Sequence, residues 1–145
     1  MLRPGTDKRI LSEIRPAELL ETDLITIHPG MRLKDLAPLI EKSRRNYFSV
    51  EDEETHHFLG MVIFNDIKPY LFNPTLLNSI IVEEVMRTDM ALVSLNSNLG
   101  DILNIFDATG AWRLPVVENK KFLGLISKAT LLDHYRKELK VETED

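Results

Sequence analysis

The sequence predicts a mixed α+β protein built from two β-α-β-β-α repeats packed with pseudo-twofold symmetry. Three observations predict it. The chain repeats itself at a nearly constant offset. Each half alternates short β-branched stretches with helical apolar stripes. The composition, finally, is that of a chain with a core: of 145 residues, 43% are hydrophobic and 28% charged, with 6 Gly and 7 Pro. Those values exclude disorder and low-complexity tracts. A chain of this length buries about 70% of its unfolded surface, enough for one soluble domain.

The repeat is read from identities. Leu20-Glu21-Thr22-Asp23 has its counterpart in Met86-Arg87-Thr88-Asp89, an offset of 66 from Thr22 to Thr88. At that offset Glu18 matches Glu84, Leu33 matches Leu99, Asp35 matches Asp101 and Val50 matches Val116. Phe58-Leu59-Gly60 recurs as Phe122-Leu123-Gly124, at an offset of 64. A hairpin loop between Val50 and Phe58 absorbs the difference. Self-similarity of this kind decides a fold more than any single motif.

The elements follow in order. Leu24 to Ile27 and Ala91 to Leu95 are short apolar stretches that read as strands. A helix follows each. In the second half Leu99, Ile102, Leu103 and Phe106 form one stripe, with Asn98 placed to cap its start and Gly110 to end it. In the first half Leu33, Leu36 and Ile40 make a weaker stripe, and Pro38 within it should bend the helix or delay its start. Two strands then form a hairpin. Tyr47–Val50 turns through residues 51–57 into Phe58–Phe64; Leu114–Val117 turns through the tight Glu118–Lys121 into Phe122–Ser127. A last helix closes each unit, Asn65–Phe72 and Lys128–Leu139, the second with Leu131, Tyr135 and Leu139 on one face. Asn73-Pro74 breaks the chain between halves and Thr75–Ile81 bridges it. A three-stranded unit exposes an apolar sheet face, so the two halves are expected to pack together. The organisation is therefore a linker over 1–15, repeat 1 over 16–72, a linker over 73–81, repeat 2 over 82–137 and a polar, frayed tail over 138–145.

Several function classes fall away. There is no cysteine, which removes disulfide scaffolds, thiolate zinc sites and cysteine nucleophiles. With 18 basic against 23 acidic residues the net charge is -5, the wrong sign for wrapping a phosphate backbone, so no nucleic acid partner is expected. The longest apolar runs fall short of the ~20 residues of a membrane span. Met1–Ile14 has no signal-peptide core. The chain reads as soluble and intracellular.

The repeated unit, with a Gly-hydrophobic-hydrophobic strand leading into a polar helix start, resembles the tandem CBS (cystathionine β-synthase type) domain pair over about residues 16 to 137. A narrower resemblance lies in Glu41-Lys-Ser-Arg-Arg-Asn-Tyr-Phe-Ser-Val50, Thr109-Gly-Ala-Trp-Arg-Leu-Pro-Val116, Leu71-Phe-Asn-Pro74 and Leu123-Gly-Leu-Ile-Ser-Lys128. These strings, and the entry from Asp7-Lys8-Arg9-Ile10-Leu11 to Glu21-Thr22-Asp23, are similar to the C-terminal cytoplasmic CBS pair of prokaryotic CLC-type chloride channels and antiporters. The resemblance implies a non-catalytic regulatory module that forms a homodimer and modulates ion transport. It would lie on the cytoplasmic side of the inner membrane, joined to a transmembrane chloride-transport domain. It also implies that no cofactor is required and that ATP, ADP or AMP is the candidate regulatory ligand, held between the repeats. The alternative is a freestanding adenosine-nucleotide sensor regulating a soluble enzyme.

The resemblance points to a nucleotide motif, Gly-h-x-(Ser/Thr)-x-x-Asp, at the end of the last strand of each repeat. The hydroxyl and helix start suit phosphate, and the carboxylate suits two ribose hydroxyls. In Gly60-Met-Val-Ile63-Phe-Asn-Asp66 the Asp is present and Ile63 replaces the hydroxyl. In Gly124-Leu-Ile-Ser127-Lys-Ala-Thr130 the hydroxyl is present and Thr130 replaces the Asp. Each motif is half complete. The candidate ligand residues are therefore Asn65, Asp66, Ser127, Lys128 and Thr130. The same residues also suit plain helix capping.

Other constellations read as structural. His56 and His57 beside Glu51–Glu54 form a solvated hairpin tip, since adjacent side chains on an extended segment point apart. No metal site follows. Ser127, Asp133 and His134 lack a nucleophile elbow, so no catalytic set is expected. Arg44 and Arg45 suit the negative end of a helix dipole, or a membrane-domain or lipid contact. Trp112 and Phe106 read as core or interface aromatics, with Tyr47 near the repeat equivalent of Trp112.

Overall fold

The structure, a computed structural model, describes residues 6–144. In chain order the elements are α1 (Thr6–Glu13), a 3-10 turn (Pro16–Leu19), β1 (Ile25–Ile27), α2 (Leu33–Ser43), β2 (Tyr47–Glu51) and β3 (Phe58–Ile63). Then come α3 (Phe64–Ile67), a 3-10 turn (Lys68–Tyr70), α4 (Pro74–Ser79), α5 (Val82–Val85) and α6 (Leu99–Thr109). The hairpin of β4 (Arg113–Glu118) and β5 (Lys121–Ser127) leads into α7 (Lys128–Glu144). Among the described residues no helix is long and apolar enough to cross a membrane.

The chain folds into two compact units, and they are not the two contiguous repeats. One comprises Asp23–Met90 with Lys120–Phe122; the other takes the chain up to Thr22, Ala91–Asn119 and the chain from Leu123 onward. The segment leading into each repeat therefore folds with the other repeat's hairpin.

In the first-repeat unit, β1 pairs parallel with β2 (Ile25↔Phe48 to Ile27↔Val50), and β2 pairs antiparallel with β3, giving the order β1-β2-β3. Ile27, Leu33, Leu36, Phe48, Val50, Val62, Ile67 and Val82 form its buried cluster. Arg87 from the lead-in of the second repeat bridges Met61, each backbone N–H donating to the other's carbonyl at 2.7 and 3.0 Å. Gly60 makes that approach feasible: a Cβ there would lie 2.4 Å from the Arg87 carbonyl oxygen. At the tip of the β2–β3 turn the Asp52 carboxylate accepts the N–H groups of Thr55 and Glu54 at 2.9 Å, which holds its pKa below the usual carboxylate range.

The second-repeat unit repeats these devices. Glu21, the equivalent of Arg87 at the 66-residue offset, bridges Leu125 at 2.8 and 3.0 Å. A Cβ on Gly124 would lie 2.4 Å from the Glu21 carbonyl oxygen. Ile10, Ile14, Leu19, Val93, Leu99, Ile102, Phe106, Leu114, Val116, Ile126 and Leu131 form its cluster. Asn98 caps α6 by accepting the Gly100 N–H at 2.7 Å, and Gly110 ends the helix in the left-handed region at φ 70°.

Several expected elements differ, each for a local reason. The strand expected over Ala91–Leu95 shrinks to one parallel bridge, Val93↔Val116. Pro115 stands where the first repeat has Ser49 and has no N–H to donate to the next rung of the ladder. The helix expected over Asn65–Phe72 stops at Ile67 and tightens into a 3-10 turn, because Pro69 offers no N–H to the Asn65 carbonyl. Pro38 behaves otherwise: α2 runs through it, losing one donor, and ends with Arg44 in the left-handed region. Asn73-Pro74 starts a helix, with the Asn73 side chain accepting from Thr75 and Leu76. The expected N-terminal linker contains α1, whose Ile10 is buried with Ile14 just beyond it, and the expected tail continues α7. Phe106 is core, whereas Trp112 is 69% exposed and is no core residue.

Candidate functional site

β3 and β5 each end by feeding a helix, and the sequence candidates sit at those two junctions, one in each unit. At the second-repeat junction Lys128 N donates to the Trp112 carbonyl at 2.9 Å, which holds the residue before β4 against the start of α7. Ser127, 4% exposed, is the N-cap in effect: its hydroxyl accepts the Thr130 N–H at 3.0 Å and donates to the Thr130 hydroxyl at 2.7 Å. Lys128 Nζ lies 3.1 Å from Asp107 Oδ1. The result is a capped start of a 17-residue helix with a cation on its first residue, bonded through its N–H to the carbonyl of Trp112, a residue whose side chain is exposed. Such a helix start favours anions, and an exposed indole is a stacking surface.

At the first-repeat junction Asn65 is exposed and Asp66 is intermediate. The Asp66 carboxylate takes a two-pronged hydrogen bond from Arg87, Nε to Oδ2 at 2.6 Å and Nη2 to Oδ1 at 2.8 Å. That bond raises the pKa of Arg87; partial burial opposes the rise, and the charges of Asp66 and Asp89 add to it. The equivalent lead-in residue of the other repeat, Glu21, lies 3.6 Å from Arg113 Nε. Arg87 carried no functional signal in the sequence, where it served only to mark the repeat.

A cavity of about 340 Å³ lies in the first-repeat unit, lined by Asp23, Ile25, Lys42, Ser43 and Arg45. Arg45 donates to Asp23 at 3.0 Å and its backbone N–H to the Ser43 hydroxyl at 3.2 Å. The dipole explanation thus applies to Arg44, the C-cap residue, while Arg45 belongs to the cavity wall. Ser127, Asp133 and His134 do not converge: Ser127 turns to Thr130, Asp133 pairs with Lys137 at 3.2 Å, and His134 faces Glu18 and Glu138. At the hairpin tip His56 Nδ1 lies 3.1 Å from Glu51 Oε1. No group of three or more metal-ligating side chains comes together among the described residues.

Comparison with known proteins agrees with this architecture. Residues 82–137 match the family model of the CBS domain. The CBS domain of the bacterial CNNM/CorC family Mg2+ transporter superposes with a TM-score of 0.77 at 18% identity, over 92% of this chain and 85% of that one. The same domain in complex with ATP gives 0.75 at 19% identity, over 90% and 92%. The fold is that of the CBS domains. Among curated relatives, an uncharacterised protein of Methanocaldococcus jannaschii is 28% identical over 122 residues, 82% of this chain and 43% of its own. A homoserine O-acetyltransferase of Methanobrevibacter ruminantium is 26% identical over 127 residues, 86% of this chain and 25% of its own. The chain spans less than half the length of these curated relatives.

Proposed function

We propose that this chain is a non-catalytic regulatory module that senses an adenosine nucleotide and acts on a linked ion-transport domain. The observation that carries the reading is the start of α7: a capped helix N-terminus, Lys128 on its first residue, and the exposed Trp112 held beside it by the Lys128 N–H. The helix start and Lys128 meet phosphate; the indole meets the base. Ser127 and Thr130 build the cap and so position the N–H groups. Asp107 holds Lys128 when no ligand is present and releases it to the phosphate. The ATP complex of a protein with this fold supports the ligand class. The fragmentary similarity to an acetyltransferase does not favour catalysis, since no nucleophile, base and orienting group converge among the described residues.

The linkage to transport rests on the sequence strings and on the transporter neighbour together. Those strings favour chloride, whereas the solved neighbour is a Mg2+ transporter, so the fold does not select the ion. As a regulator the module works only if nucleotide binds two arrangements of it unequally, since equal binding shifts nothing; a homodimer provides such arrangements. Calorimetric titration of ATP, ADP and AMP tests the ligand. Binding to the wild-type chain is expected, weakened about tenfold in Lys128→Ala, the order of one charge-assisted contact. No heat at millimolar nucleotide would remove the sensing role. Chloride efflux from proteoliposomes holding the full-length parent tests the ion.

A further inference from the structure

We infer that Arg87 is a built-in occupant of the first-repeat acceptor: its guanidinium fills the Asp66 carboxylate that a ribose diol would need, so this half of the motif is latched and admits ligand only when Arg87 withdraws. The inference rests on the nucleotide reading above and adds a regulatory contact to it.

The geometry carries the argument. Both Asp66 oxygens are engaged at once, at 2.6 and 2.8 Å, in the planar fork that guanidinium and carboxylate share. Ribose hydroxyls would also donate to the ionised carboxylate, but they bring neither the positive charge nor the planar fork that the guanidinium adds. Arg87 therefore wins the site unless other ligand contacts outweigh it. Its main chain is pinned by the paired bonds to Met61 and by the close approach at Gly60. Opening thus needs only a side-chain rotation, and the side chain is 49% exposed, with room to rotate. Tyr47 and Asp89 are the other titratable groups acting on Arg87.

The latch belongs to one repeat only. At the positions equivalent to Arg87 and Asp66 the second-repeat unit has Glu21 and Thr130. Glu21 turns instead toward Arg113, at 3.6 Å. The second-repeat junction thus lacks the motif carboxylate, and its own cation, Lys128, is turned to Asp107 at 3.1 Å. The two junctions are predicted to differ in availability: the α7 start is open to ligand, and the α3 start is closed by the chain's own side chain.

Calorimetry on the full chain with AMP and ATP tests this, using wild type, Arg87→Ala, Arg87→Lys and the double variant Arg87→Ala with Asp66→Asn. Arg87→Ala is expected to gain a second binding event or at least tenfold tighter binding, and Asp66→Asn to cancel that gain. Arg87→Lys cannot present the fork and should fall between, while keeping the charge if Arg87→Ala fails to fold. Wild type that binds, with Arg87→Ala and Arg87→Lys unchanged from it, overturns the latch and leaves the nucleotide reading standing. Absence of binding in every variant overturns both.

Discussion

At Gly60 and Gly124 a backbone carbonyl of a lead-in segment lies where a side chain would begin. The two carbonyls, of Arg87 and Glu21, come from repeat-equivalent residues, and each would sit 2.4 Å from an added Cβ. Since the obstacle is main chain paired in a bridge, it cannot swing aside. Gly60→Ala and Gly124→Ala should each cost about 1–3 kcal/mol, the usual range for overpacking. Denaturant unfolding checks this, and a change below roughly 0.5 kcal/mol, the scatter of ordinary surface substitutions, would contradict the close approach. The same two glycines matter to the ligand reading, because the bridges they permit fix Arg87 beside Asp66 and Glu21 near the α7 start. In the sequence they were visible as the end of a repeated tripeptide and the start of the two half motifs; what pressed on them was not.

Among the elements, α2 and α6 are the two copies of one helix, and Leu33 and Leu99 are its equivalent buried residues, 0% and 1% exposed. Leu33→Ala and Leu99→Ala should each cost about 2–5 kcal/mol. Urea unfolding of the two variants measures it, and a near-neutral result at either position would break the equivalence. α6 was fully legible: Asn98, the apolar stripe and Gly110 state its start, face and end, and each signal is local. The hairpin turn at Glu118–Lys121 was legible too, and Asn119 and Lys120 take the positive φ values of 49° and 65° that a tight turn requires. What escaped the sequence was set by single missing donors or by contacts distant along the chain. Pro69 and Pro115 each remove one N–H, shortening a helix and a strand. α1 was hidden because the buried Ile10 and Ile14 find their partners far along the chain, among them Leu99 and Phe106. Asn65, Asp66, Ser127, Lys128 and Thr130 were legible as a motif. The Arg87 fork on Asp66 was not, because nothing within a few residues of either announces it.

For the molecule as a whole, the repeat was legible and its exchange was not. A 66-residue period says that two copies exist; it does not say that the segment entering each copy folds with the other's hairpin. Each lead-in segment is paired to a strand of the unit it folds with, through Arg87–Met61 or Glu21–Leu125. A ligand at the start of α7 would act on β5 and, through Leu125, on Glu21 and the chain before it. The proposed nucleotide would bind there. Amide hydrogen exchange of the full chain, with and without saturating ATP, tests this binding most directly. Slowed exchange is expected at residues 127–131 and around Trp112, extending to Glu21 and Leu125. Unchanged exchange across these residues at millimolar ATP would contradict it.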